Sequence, residues 1–199
     1  QVPSLYYDDQ LKRLWIGTGS AGLFYYDIIR KSLSDIPIRN FPKQPILAIR
    51  KDAKNTLLIG IDGQGIWNIS EKGDTILHIY KEDLNNPFSL RGDGVYDILC
   101  DGSKNWIATF TGKLSFFENN NSQITPVTYQ INNPNSLGNN YVNQIIEDHE
   151  GHIWFATNNG VSRWDAASNK WKHYYQNKSE QAKVFFCLLY TSPSPRDRG

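Results

Sequence analysis

The residue types able to do chemistry are few, and their spacing assigns most of them elsewhere. His149-x-x-His152 has the look of a metal-ligand pair, but it falls in the turn Asp148-His149-Glu150-Gly151 and has no third ligand nearby in sequence. Four aspartates, Asp8, Asp52, Asp101 and Asp148, would suit acid–base work if they converged. They recur once per repeat unit instead, which places them in four separate turns where an Asp side chain binds backbone N–H groups. Asp62-Gly63-Gln64-Gly65 is glycine-rich but lacks the Lys-Ser/Thr of a phosphate loop and precedes a strand pattern, so it is expected to be a hairpin turn. The chain contains no Gly-x-Ser-x-Gly elbow. Arg91-Gly92-Asp93 is an adhesion-type tripeptide, but three residues arise readily by chance and these lie in a loop between units. No catalytic residue, metal site or cofactor is expected.

The elements that carry these residues form an internal repeat. Apolar, two residues, apolar, two residues, Asp occurs as Val2/Leu5/Asp8, Ile46/Ile49/Asp52, Val95/Ile98/Asp101 and Val142/Ile145/Asp148. Five to seven residues after each Asp stand Trp15-Ile16-Gly17-Thr18, Leu58-Ile59-Gly60-Ile61, Trp106-Ile107-Ala108-Thr109 and Trp154-Phe155-Ala156-Thr157, followed by Gly22, Gly65, Gly112 and Gly160. The leading residues Trp15, Leu58, Trp106 and Trp154 are 43, 48 and 48 apart. A third landmark, Asn85-Asn86-Pro87-Phe88-Ser89-Leu90, returns 47 residues later as Asn132-Asn133-Pro134-Asn135-Ser136-Leu137.

Within a unit the runs are short, rich in Ile, Val, Trp, Tyr, Phe and Thr, and bounded by Asn, Asp and Gly, which is the pattern of antiparallel strands. In the last complete unit strands are expected at 142–147, 152–157, 161–165 and 171–175. Asp148 and Gly151 should shape the first turn, and Asn55 should play the glycine's part after Asp52. Four strands in every unit is the arithmetic of a β-propeller blade, with the repeated Trp packing between blades. The expected fold is therefore all-β, a partial propeller of about four blades, near 1–40, 41–84, 85–131 and 132–186. Propellers close with about 4 to 8 blades, so the chain is expected to be part of a longer ring. Its two uncovered blade faces should then associate. Residues 187–199, Cys-Leu-Leu-Tyr-Thr-Ser-Pro-Ser-Pro-Arg-Asp-Arg-Gly, break the pattern, resemble a translated sequencing adapter, and are set apart from the fold.

Composition narrows the partners. In 199 residues, 21 Lys+Arg stand against 20 Asp+Glu, and the formal charge of +1 includes no basic block. Phosphate backbones and anionic membranes therefore have no electrostatic footprint here. The longest apolar run, Val184 to Leu189, is far short of the roughly 18 residues that span a bilayer. Gln1-Val2-Pro3 contains neither an initiator nor a leader pattern, which reads as a piece of something longer. Two cysteines, Cys100 and Cys187, make no disulfide framework, and Cys100 is expected to serve as a small buried apolar side chain.

The run from Asn140 to Asp165, with Val142, Ile145, Asp148, Gly151, Trp154-Phe155-Ala156-Thr157 and Gly160 at its landmarks, resembles the two-component regulator propeller repeat, and the Asn-Asn-Pro-x-Ser-Leu linker strengthens the likeness. It extends over about residues 2 to 176, departing at Leu58, which replaces Trp, and at the short turn from Asp101 to Trp106. The resemblance implies the periplasmic sensor region of a Bacteroidetes hybrid two-component system. In that family, paired seven-bladed propellers precede a β-sandwich, a membrane helix and a histidine kinase. It further implies oligosaccharides from glycan breakdown as the signal, a sensor dimer partner, and phosphoryl chemistry confined to cytoplasmic domains outside this chain.

Chain direction decides where a ligand would sit. In a four-stranded antiparallel blade the linker before the first strand and the turn between the second and third lie at one end. Candidate ligand-binding residues there are Asp62, Gln64, Arg91, Asp93, Phe110, Asn140, Tyr141, Asn158 and Asn159, with Ser20, Thr111 and Asn139 beside them. Asn, Asp and Arg can hydrogen-bond sugar hydroxyls while Phe110 or Tyr141 stacks on a ring's apolar face. Tyr25-Tyr26, Phe116-Phe117 and Tyr174-Tyr175 are expected to pack instead. A structural interaction propeller, the sensor of a diguanylate cyclase and a secreted propeller enzyme remain alternative readings.

Overall fold

The computed structural model describes residues 1–111 and 113–174. Gly112, Tyr175, Cys187 and the 187–199 tail, all of which figure in the expectations above, lie outside these residues. Sheet 1 contains β1 (Ser4–Asp8), β2 (Arg13–Gly17), β3 (Leu23–Asp27) and β4 (Ser32–Asp35); sheet 2 contains β5 (Ile46–Lys51), β6 (Leu57–Ile61), β7 (Gly65–Ile69) and β8 (Ile76–Tyr80). Sheet 3 contains β9 (Val95–Cys100), β10 (Lys104–Thr109), β11 (Lys113–Glu118) and β12 (Asn121–Val127). Sheet 4 contains β13 (Val142–Glu147), β14 (Ile153–Thr157), β15 (Gly160–Asp165) and β16 (Lys170–Tyr174). Each sheet is an antiparallel meander in chain order, and no helix occurs among the described residues. The architecture is a partial all-β propeller of four-stranded blades. In sheet 4 the first strand runs as expected; the second begins one residue later, and the third and fourth begin one residue earlier.

The first strands of successive sheets adjoin. The Ser4 hydroxyl donates to the Ile46 carbonyl at 2.6 Å, and the Asp97 carboxylate on β9 accepts the Ile145 N–H on β13 at 3.0 Å. First strands are thus innermost and fourth strands outermost; four of the five residues of β8 are exposed.

Three cores lie between the four sheets. Trp15 on sheet 1 packs with Ile46, Ile49, Ile59 and Ile61 of sheet 2. Ala48, Leu58 and Tyr80 of sheet 2 pack with Val95, Ile98 and Phe117 of sheet 3. Trp106 and Leu114 of sheet 3 pack with Val142, Ile145 and Phe155 of sheet 4. The repeated Trp position, with Leu58 as its smaller occupant, therefore faces the next blade. Burying each such side chain is worth about 1.5–3 kcal/mol. Four members of the aromatic pairs pack against neighbouring rings. Tyr25 lies 5.4 Å from Trp15, Phe116 5.2 Å from Trp106, and Phe117 stacks on Tyr80 at 4.7 Å. Tyr174 stacks on Trp154 at 5.5 Å.

The outer faces of sheets 1 and 4 lack such cover. Leu5, Tyr7 and Leu33 are exposed on one, and Ile146 on the other beside a half-buried Trp154.

Spacing apolar residues by three, as in Ile46/Ile49, is odd for a strand, whose faces alternate every residue. The register explains it. In β5, β9 and β13 the ladder to the second strand skips residues 47, 96 and 143, so each inner strand carries a bulge that returns the residue three positions on to the same face. Ile46/Ile49, Val95/Ile98 and Val142/Ile145 consequently share the core against the preceding blade.

The linker motif also has a physical account. The second Asn accepts the backbone N–H two residues on, from Phe88 to Asn86 and from Asn135 to Asn133, each at 3.0 Å. The Ser hydroxyl accepts the N–H of the residue six before it, Asp83 to Ser89 at 2.9 Å and Gln130 to Ser136 at 3.1 Å. The closing leucines, Leu90 and Leu137, are fully buried. The motif closes a loop and plugs it into the core.

Candidate functional site

The Asp series shapes turns, as expected. Asp52 accepts N–H bonds from Lys54 (3.0 Å) and Thr56 (2.7 Å), and Asp8 accepts them from Gln10 and Leu11. Asn55 and Gly151 take positive φ, 61° and 80°. Two of the four carboxylates do more. Asp101 accepts the Trp106 indole N–H at 2.8 Å, and Asp148 accepts that of Trp154 at 2.7 Å. Burial opposes ionisation at both, but the hydrogen bonds from these indoles and the turn N–H groups win and hold both carboxyls below the usual carboxylate range. At Asp8 the corresponding oxygen accepts from the Lys51 ammonium at 3.1 Å, and the Trp15 indole nitrogen is buried without a partner.

The Asp148 turn also gathers side chains of metal-ligand type. Ligand atoms of Asp148, Glu150 and His152 lie within 4.8 Å of one another. Yet one Asp148 oxygen accepts the Glu150 and His152 backbone N–H groups, and the other accepts Trp154 and faces His152 Nδ1 at 3.1 Å. His149, the other half of the sequence pair, is exposed. The cluster's hydrogen bonds are those of the turn itself.

The candidate binding residues gather at the opposite end of the strands, at the lip where the linkers arrive. The same bond builds each unit: the N–H of the first turn residue donates to the carbonyl just before the inner strand's apolar start. The pairs are Gly19 to Gln1 (3.1 Å), Asp62 to Pro45 (2.9 Å), Phe110 to Gly94 (2.8 Å) and Asn158 to Tyr141 (3.1 Å). Asp62 and Gln64 thus sit in the β6–β7 hairpin, where Gln64 accepts from the Lys81 ammonium at 3.2 Å. Ser20 is exposed in the matching turn of sheet 1.

Several of these side chains hold the loops. Asp93 accepts the Glu82 N–H at 2.7 Å, and Asn140, its repeat equivalent, accepts the Tyr129 N–H at 2.7 Å. Arg91 donates to the Pro87 carbonyl at 2.8 Å, Thr111 to the Arg91 carbonyl at 2.6 Å, and Asn139 accepts the Tyr141 N–H at 2.8 Å. The Arg91-Gly92-Asp93 tripeptide is accordingly tied into its own linker. Phe110, Tyr141, Asn158 and Asn159 remain exposed.

The bulges add two residues that sequence reasoning passed over. Tyr96 is 39 % exposed and its ring lies 3.7 Å from that of Phe110, at 34°. Asn143, exposed on β13, donates to the Asn158 side-chain carbonyl at 2.9 Å. Asp97 was missed too. Its carboxylate joins Arg50 of sheet 2 (3.1 Å) to the Ile145 N–H of sheet 4 and lies near the axis. Burial pushes its pKa up, against the pull of Ile145 and Arg50.

Cys100 is half-buried at the edge of the core between sheets 2 and 3. Burial, reinforced by the Asp52 charge, pushes its thiol up to about 12. That removes it as a nucleophile at neutral pH. Two clefts of about 380 and 260 Å³ open on the outer rim between sheets 2 and 3, lined by Tyr80, Phe88 and Ile124 and by Asn68, Phe117 and Asn121. None of the nine candidate ligand-binding residues lines them.

Residues 136–159, spanning the end of the linker, β13, the Asp148 turn and β14, match the family model described as two component regulator propeller. The chain carries a two component regulator propeller repeat. In this repeat Ser136 and Leu137 close the linker, Asp148 clamps Trp154, and Asn158 reaches the lip.

Solved structures share the fold. The extracellular domain of a hybrid two component system of B. thetaiotaomicron superposes with a TM-score of 0.67 at 19 % identity, over 88 % of this chain and 24 % of that one. The computationally designed Ika8 protein gives 0.63 at 12 % identity, over 90 % and 51 %. The Swd1 β-propeller domain of Myceliophteria thermophila gives 0.60 at 12 % identity, over 88 % and 56 %. The chain therefore spans about a quarter of the first neighbour's length and about half of the others'. No curated protein matches the chain.

Proposed function

We propose that this chain is a segment of the extracytoplasmic, periplasmic sensor propeller of a two-component system, and that its signal is an oligosaccharide released from a larger glycan. The observation that carries the reading is the regulator propeller repeat at 136–159, set in a chain whose four sheets repeat its Asp turn, inner-strand spacing and lip. The lip supports a neutral, hydroxyl-rich ligand. It offers exposed aromatic rings and amides; of the three charged groups among its candidates, Arg91 and Asp93 are spent on the linker, and the Asp62 carboxylate is an acceptor for sugar hydroxyls. The segment itself performs no reaction. The recurring Asp8, Asp52, Asp101 and Asp148 serve turns, Asp97 ties sheets together, and the one described thiol is held neutral. A ligand that prefers one arrangement of the propeller would bias a kinase across the membrane through that difference in affinity.

The coding sequence tests this reading. Extended past Phe186, it should continue through further Trp-x-Ala/Gly-Thr units into a membrane helix and a histidine kinase. A ring that closes and stops would replace the sensor with a secreted propeller.

A further inference from the structure

We infer that blades 3 and 4 together form a subsite for one pyranose ring, with Tyr96 and Phe110 as the stacking platform and Asn143 and Asn158 as the hydroxyl-binding pair. The inference rests on the oligosaccharide reading and deepens it. Three observations carry it, and the first is the bulge. A bulge takes its extra residue out of the alternating pattern and re-aims its side chain, and in blades 3 and 4 that residue is Tyr96 or Asn143. The Ile145 N–H donates to the Asp97 carboxylate, which joins β13 to β9 one residue after the Tyr96 bulge and two after the Asn143 bulge, so the two bulges lie on adjoining inner strands.

The second observation is the room made for Phe110. The position before the inner strand is Gly94 in blade 3 and Tyr141 in blade 4, and a Cβ at 94 would fall on the Phe110 ring. Glycine there lets the ring fold back over the lip and lie on Tyr96. Phe110 and Tyr96 nevertheless remain 44 % and 39 % exposed as residues. Two aromatic rings packed on each other yet left open to solvent form a rigid apolar plate, the surface that the C–H face of a sugar ring covers.

The third is the amide pair. Asn143 donates to Asn158, which leaves the Asn143 carbonyl as an acceptor and one Asn143 and both Asn158 amide hydrogens as donors on two exposed residues, oriented by their mutual bond. Neutral donors and acceptors beside an aromatic plate fit a pyranose better than an anion, which would need a cation, or a lipid, which would need no amides.

Calorimetric titration of the 199-residue chain with linear cello-, xylo-, manno- and maltohexaose tests the assignment. Tyr96→Ala, Phe110→Leu and Asn143→Ala would be compared with Phe88→Ala at the rim cleft, with circular dichroism confirming the fold of each. At least one hexaose should bind, about tenfold or more weaker in each of the three lip variants and unchanged in Phe88→Ala. Phe110→Leu keeps the volume over Gly94, so a loss there reports the ring face rather than a collapsed lip. Binding undiminished in folded Tyr96→Ala and Asn143→Ala would overturn the subsite and leave the oligosaccharide reading standing. No binding by any hexaose would overturn both.

Discussion

Replacing Asp101 with Ala removes one carboxylate that serves four donors. Its oxygens accept the Ser103 N–H (2.8 Å), the Lys104 N–H (2.6 Å), the Ser103 hydroxyl (2.9 Å) and the Trp106 indole N–H (2.8 Å). The first three belong to a partly open turn, where water replaces much of what is lost. The indole has no such recourse, because Trp106 is 1 % exposed between sheets 3 and 4. A hydrogen bond to a charged group is worth about 1.5–3 kcal/mol, and an orphaned buried donor costs its full desolvation. Adding about 1 kcal/mol for the turn puts the expected loss near 3–4 kcal/mol. Asp52→Ala is the internal control, since its partners are the Lys54 and Thr56 N–H groups and the Thr56 hydroxyl, with no indole. It should lose about 1–2 kcal/mol. Urea unfolding followed by tryptophan fluorescence measures both. A double-mutant cycle with Trp106→Phe isolates the indole bond as a coupling of at least about 1 kcal/mol. Equal losses in Asp101→Ala and Asp52→Ala, with additive behaviour in the cycle, would refute the clamp.

Trp15 offers the converse test. Its indole nitrogen is buried and unpartnered, so Trp15→Phe should cost less than Trp106→Phe by about 1–2 kcal/mol in the same urea assay, and an equal or larger cost would contradict the pairing scheme. For pH, Asp101 and Asp148 have folded pKa values below the unfolded value. Their stabilisation is therefore present above the usual carboxylate range near 4 and is lost as pH falls through it toward the depressed folded values. Thermal unfolding between pH 7 and 2.5 should show a steeper acid loss in the natural chain than in Asp148→Asn, and identical slopes would remove Asp148 from the account. The open faces of sheets 1 and 4 predict concentration-dependent association in sedimentation velocity. Leu5→Lys with Ile146→Lys should reduce it, and a natural chain that stays monomeric at all concentrations would show that these faces do not associate.

Much of the fold was legible because a propeller writes each contact several times. Trp15, Leu58 and Trp106 occupy one position in three packed faces, and their common neighbours could be read from spacing alone. The Asp turns were legible for the same reason. The bulges were not, although their signal was present: apolar residues three apart cannot share a face of an unbroken strand, so Val95/Ile98 and Val142/Ile145 imply an extra residue between them. Missing that hid Tyr96 and Asn143 from the candidate site. Asp93 and Asn140 illustrate the opposite limit, because residue type gives no sign that a loop carboxylate or amide is already bound to a backbone N–H eleven residues earlier. Asp97 escaped because its partners, Arg50 and Ile145, lie 47 and 48 residues away on two other sheets.

Hydrogen–deuterium exchange of the 199-residue chain, with and without the four hexaoses at millimolar concentration, tests the central claim most directly. The account predicts slowed exchange at 94–97, 109–111, 141–144 and 158–159 with the hexaose that binds. Protection confined to the rim cleft at 78–90 and 122–124, or no protection with any hexaose, would contradict it.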